Sequence, residues 1–172
     1  MGEAAISTPN IVLLVALVVA AVIDLRTHRI PNWLTFTLMA VGLAVQASVG
    51  GGLAVGVVGL VVAFLVHYAL WSLGIDAAGD AKLFMAVGAW LGWAVMMEAT
   101  LWRLLLHVPM AVIVLTVQKR WDNFRAALRW SLLSAQGQDQ GARPEPTWVP
   151  LGAVIALSVP LAMFTDVLGW FG

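Results

Sequence analysis

A succession of uncharged apolar runs sets the environment in which this chain can fold. Ile11–Ile23, Trp33–Val49, Leu53–Leu73 and Leu83–Met97 contain no Asp, Glu, Lys or Arg. A helix needs about 20 mostly apolar residues to cross a bilayer, where each backbone N–H and C=O must be paired internally. Of the 172 residues, 62% are hydrophobic and only 10% are charged, against roughly 25% charged in soluble domains. The chain therefore reads as an all-α, polytopic membrane protein, with one transmembrane domain over residues 1–172.

About six spans are expected. The first runs from Pro9 to Ile23 and ends in Asp24-Leu25-Arg26-Thr27-His28-Arg29. Pro31, whose fixed φ suits a first helical turn, opens the second, from Trp33 to Val49. A turn at Gly50-Gly51-Gly52 leads to the third, from Leu53 to Leu73. The fourth covers Ala81–Met97, and the fifth Leu101–Val117 with a kink at Pro109. The last covers Trp148–Phe171, interrupted by Pro160. The polar stretch 118–147 carries Trp121, Phe124, Leu128 and Leu132 at helical spacing beside Arg125 and Arg129, the pattern of an amphipathic helix on anionic lipid. Gln136–Pro146, rich in Gln, Gly and Pro, reads as a loose loop.

Basic residues favour the cytoplasmic side. With the loop after the first span inside and the spans alternating, Arg26, Arg29, Lys82, Lys119, Arg120, Arg125, Arg129 and Arg143 all fall inside. Arg103 alone falls outside, near Glu98, and the two are expected at the outer interface as a pair. Both termini are then on the outer side of the plasma (inner) membrane. Asp24 and Asp80, from different loops, reach the same cytoplasmic face.

Several classes of function fall away. The formal net charge is zero, so no global field attracts nucleic acid. The absence of cysteine rules out disulfides, thiolate metal sites and cysteine nucleophiles. Nothing calls for a cofactor. His28 with Asp76 and Asp80 is a conceivable metal set, but no His-x-x-x-His or Cys spacing supports it. The apolar run after Glu3 lacks a basic flank, so it is expected to be a retained span rather than a cleavable signal peptide.

The two aspartates are the candidate chemistry, because a charge at membrane depth costs at least about 2.5 kcal/mol on insertion scales. Two neighbouring carboxylates share a proton. The ionised one can deprotonate water for attack on a peptide carbonyl, while the protonated one supports the oxyanion and the leaving amine. Gly79 beside Asp80 lets a substrate backbone approach. Ordinary readings stand beside this one. Asp80 suits a helix cap, and Asp24 suits an interfacial pair with Arg26 or Arg29.

Asp24 followed by Ile30-Pro31-Asn32 resembles the first aspartate motif of the type IV prepilin peptidases. Gly79-Asp80-Ala81-Lys82-Leu83, continued by Gly88-Ala89-Trp90-Leu91-Gly92-Trp93, is similar to their second. Val149-Pro150-Leu151-Gly152-Ala153-Val154-Ile155-Ala156 resembles their C-terminal Pro-x-Gly segment. The resemblance spans nearly the whole chain in the right order. It implies a membrane aspartic endopeptidase that removes the basic leader of prepilin-like or preflagellin-like precursors, with Asp24 and Asp80 in the two catalytic positions. Gly79, Lys82, Asp76, Pro31 and Asn32 are candidates to bind substrate or support the pair.

Two departures qualify the resemblance. The family pattern Gly-x-Gly-Asp has Ala77 in place of its first glycine. The longer bacterial enzymes also carry an N-terminal cytoplasmic region with paired cysteines, associated with N-methylation of the product. With its first span at the start and no Cys, this chain looks like the short form of Tad/Flp pili or archaeal preflagellin peptidases, and no methyltransferase activity is expected. A non-enzymatic proton-coupled transporter or pilus-assembly subunit using the same carboxylates is the competing class. A presenilin-type protease cutting within the bilayer fits the edge position of Asp24 less well. Among the remaining polar residues, Asp76 reads as a solvated loop charge, and His67 and His107 as inter-helix hydrogen-bonding groups.

Overall fold

A computed structural model describes residues 7–49, 52–73, 75–137, 141–142, 149 and 151–165. The turn at Gly50-Gly51, most of Gln136–Pro146, both termini and the ends expected for the last span at Trp148 and Phe171 lie outside the described residues. The elements are α1 (Thr8–Thr27), α2 (Asn32–Val49), α3 (Leu53–Ser72), α4 (Ala78–Val117), α5 (Trp121–Ala135) and α6 (Leu151–Phe164). No strand occurs among the described residues. α1, α3 and α4 are each long and apolar enough to cross a membrane, and α6 is a shorter apolar helix. The protein is thus an all-helical membrane protein. Two compact units are formed, one by residues 1–106 and 150–172, the other by residues 107–149, which contains α5.

Apart from α5, the helices are apolar nearly all round, so burial rather than polarity marks the face turned inward. On α1 the inward stripe is Leu13, Leu17, Ala20, Ala21 and Asp24, while Val15, Val18 and Val22 face out. Asp24 is carried inward by its three-to-four-residue spacing from this stripe. α1 starts with a proline in its first turn and ends at His28, whose left-handed backbone returns its N–H to the Asp24 carbonyl at 2.8 Å. On α3 the stripe is Gly56, Gly59, Ala63 and His67. A Cβ on Gly59 would run into the Gly88 carbonyl, so the two backbones touch as small-residue membrane crossings do. α1 packs mainly on α6, and α2 on α3.

α4 is not one straight helix. Gly92, at φ 82° and ψ 173°, breaks it into arms of residues 78–91 and 93–117. A straight helix would hold Ala78 and Arg103 roughly 40 Å apart, yet Arg103 reaches Asp76, two residues before Ala78, at 2.6 Å. The chain therefore doubles back at Gly92. The Trp90 carbonyl, beside the break, accepts a hydrogen bond from Gln46 Nε2 of α2 at 2.7 Å. This corrects the expected reversal between Met97 and Leu101. It also removes Glu98 and Arg103 from the outer interface, since both are fully buried in the helical core. Pro109 lies inside the second arm, and the non-helical backbone is at Gly92. Trp90 is buried and Trp93 is not.

Candidate active site

Asp24 and Asp80 are 5% and 4% exposed, at the end of α1 and in the first turn of α4. A carboxylate at a helix C-terminus faces the wrong end of that helix's dipole. Asp24 is compensated from elsewhere, because the Gly152 N–H in the first turn of α6 donates to its Oδ2 at 2.9 Å. The fit requires glycine there, since a Cβ would stand 2.9 Å from Asp24 Cβ and 3.0 Å from Oδ2. This is what the Pro-x-Gly segment does locally.

Asp80 is the third residue of α4. It reaches back to accept the Ala77 N–H at 3.3 Å, the acidic half of a capping box. The cap reading is therefore correct as far as it goes. A surface cap would be solvated, however, and Asp80 is buried within reach of other charges. The negative charges of Asp24 and Asp76 act on it, and Arg103 acts in the opposite sense. Asp80 thus stands in the electrostatic field of Asp24, a residue from a distant segment of the chain.

Two further contacts join the segments that carry these carboxylates. Gly79 lies against Ile30, with a Cβ position 3.4 Å from Ile30 Cβ, so its bare side is occupied by the loop after α1. Lys82 Nζ donates to Asn32 Oδ1 at 2.9 Å, and the ammonium sits 5.6 Å above the Phe36 ring. Pro31 accepts the Leu34 and Thr35 N–H groups at 3.2 and 3.4 Å and so starts α2. Lys82, Asn32 and Pro31 therefore form a clasp beside the pair.

Asp76 departs from its expected setting. It is no solvated loop charge, because its side chain is inaccessible and is held by His67 and Arg103. His28 caps α1, and among the described residues no group of three or more His, Asp and Glu is arranged to hold a metal ion. His67, Arg103, Thr100 and Phe84 were not evident as site neighbours. The available signal was an arginine and a histidine inside apolar runs with an unexplained aspartate between them.

A family profile described as the Type IV leader peptidase family matches residues 11–114. A prepilin leader peptidase/N-methyltransferase of Klebsiella pneumoniae is 37% identical over 103 residues, covering 54% of this chain and 44% of that protein. Proteins of the same name from Pectobacterium carotovorum subsp. carotovorum and Burkholderia pseudomallei (strain 1026b) are each 34% identical, over 91 and 94 residues. These alignments cover 48% and 50% of this chain, and 33% and 30% of those proteins. The chain thus spans less than half the length of these curated relatives. No solved structure matches it. With the profile covering more than half of the sequence and taking in both Asp24 and Asp80, the chain belongs to the type IV leader peptidase family.

Proposed function

We propose that this protein is an aspartic endopeptidase of the inner membrane that cleaves the basic leader from prepilin-like or preflagellin-like precursors at the cytoplasmic face. The observation that carries this reading is the buried pair Asp24 and Asp80, from separate segments, each fixed by a backbone N–H. One carboxylate, ionised, takes a proton from water as the water oxygen attacks the scissile carbonyl. The other, protonated, donates a hydrogen bond to the developing oxyanion and then a proton to the leaving amine. Burial strengthens both interactions by lowering the local dielectric. The substrate's apolar helix lies in the bilayer beside the spans, with its Lys/Arg leader on the anionic side.

Charge supports the orientation. By the positive-inside rule, the basic residues Arg26, Arg29 and Lys82, in the segments that carry Asp24 and Asp80, put those segments on the cytoplasmic side, and the alternation of spans in the sequence then assigns both termini to the outer side. Arg103 no longer counts against this, because it is buried and paired. In α5, Trp121, Phe124, Leu128 and Leu132 are exposed, and Arg125 is exposed in a loose ion pair with Asp122 at 3.7 Å, as suits a helix resting on anionic lipid. A transporter or assembly subunit does not need the two carboxylates on adjoining segments, so the contacts that join those segments, Gly79 against Ile30 and Lys82 to Asn32, favour the peptidase. The test is co-expression of a prepilin with Asp24→Asn and Asp80→Asn variants. Each is expected to lower cleavage by roughly a thousandfold or more while leaving membrane insertion intact. Unaltered cleavage by either excludes the paired-aspartate mechanism.

A further inference from the structure

A second constellation of buried charge lies beside the pair. Asp76 Oδ2 is 2.6 Å from His67 Nδ1 of α3, and Asp76 Oδ1 is 2.6 Å from Arg103 Nη2 in the second arm of α4. The arginine contact is a charge contact that departs from hydrogen-bond geometry. All three side chains are inaccessible. On its far side His67 Nε2 meets Thr100 Oγ1 at 3.1 Å, and the Thr100 hydroxyl donates to the Met96 carbonyl at 2.9 Å. The Phe84 ring stacks on His67 at 4.1 Å and lies 5.7 Å from the Arg103 guanidinium.

Stability alone is a poor reason for this arrangement. Buried ion pairs give up so much hydration that apolar side chains of similar volume often do as well or better, and their best-attested use is to specify a geometry. The geometry here is informative. Asp76 comes four residues before Asp80 and Phe84 four residues after, so the cluster holds the Asp80 turn from both sides. The backbone agrees, since the N–H groups of Ile75 and Asp76 both donate to the Leu70 carbonyl at the end of α3, at 2.9 and 3.3 Å. α3 and both arms of α4 therefore converge on the short connection that delivers Asp80.

We propose that Asp76, gripped by His67 and Arg103 and backed by Phe84, is a positioning residue that fixes where Asp80 stands relative to Asp24. This rests on the reading of Asp24 and Asp80 as the catalytic pair. Asp76 touches no substrate in this scheme. It acts through the backbone of residues 76–80, and Arg103 and His67 act through Asp76.

The test compares the full chain in detergent with Asp76→Asn and with the charge-balanced double variant Asp76→Asn/Arg103→Gln. The substrate is a synthetic prepilin with a Lys/Arg leader. The single variant strands a buried cation and is expected to fold poorly; the double variant removes both charges. In the folded double variant, amide hydrogen exchange at Ile75–Asp80 is expected to quicken roughly tenfold. Its kcat is expected to fall by roughly tenfold to a hundredfold with KM within about twofold. If neither variant folds, Arg103→Lys, which keeps the charge but changes its reach, carries the same two readouts. Unchanged exchange at Ile75–Asp80 in a folded variant overturns the proposal, and so does a raised KM with kcat intact. If the unmodified protein cleaves no prepilin, the peptidase reading falls, while the exchange measurement still decides whether the cluster holds the Asp80 turn.

Discussion

Lys82 donates to Asn32 across 2.9 Å and so joins the helix that carries Asp80 to the segment that follows Asp24. The two residues are 50 positions apart in sequence. The clasp ties the two carboxylate-bearing segments to each other, whereas the bond from Gly152 ties Asp24 to α6.

Replacing Lys82 by Met keeps the stem over Phe36 and removes the bond to Asn32. A partly exposed hydrogen bond of this kind is worth roughly 1 kcal/mol. Cleavage of a prepilin peptide is expected to fall about five- to tenfold in kcat/KM, with little change in melting temperature. Asn32→Ala is expected to match it, and the double variant to be no worse than either single one.

Gly152→Ala tests the support of Asp24 from α6. The added methyl would sit 2.9 Å from Asp24 Cβ and 3.0 Å from its Oδ2. Overpacking of this sort costs about 1–3 kcal/mol. It displaces the carboxylate directly, so activity is expected to fall roughly a hundredfold, out of proportion to the loss of thermal stability in detergent.

Gly92→Ala tests the reversal of α4. The backbone at φ 82° and ψ 173° is open essentially to glycine alone, and a Cβ would also crowd Val55. A strain of about 1–3 kcal/mol is expected, read as a lower unfolding temperature. Gln46→Leu, which leaves the Trp90 carbonyl without its donor, is expected to cost about 0.5–2 kcal/mol.

The chain has no cysteine, so single-cysteine labelling is clean. Arg29→Cys and Ala77→Cys, both at exposed positions in the loops before α2 and α4, are expected to react with a membrane-impermeant maleimide from the cytoplasmic side only. Reaction from opposite sides would refute the proposed topology.

The long apolar helices were legible because length and hydropathy are local properties. α1 and α3 fall within a few residues of Pro9–Ile23 and Leu53–Leu73. The reversal at Gly92 was not legible. Its turn lies in Leu91-Gly92-Trp93, without the polar residues that mark a turn in water, because the carbonyl beside it is paired by Gln46 of another helix. For the same reason Arg103 read as an interfacial charge. Its partner Asp76 looked like a loop residue, and only the folded chain brings them together. Asp24 and Asp80 were legible as unusual charges at the ends of apolar runs. The donor to Asp24 was not, because a backbone N–H leaves no trace in side-chain chemistry.

The bond from Gly152 to Asp24 links residues 128 positions apart. During synthesis the ribosome must deliver α6 before the acid at the end of α1 acquires its backbone partner. A nascent chain whose earlier helices are already in the bilayer therefore still has an unfinished centre. On the proposed reading, proteolytic competence comes only once α6 has been made and has docked, so a nascent chain stays inert toward other clients of the insertion machinery until then.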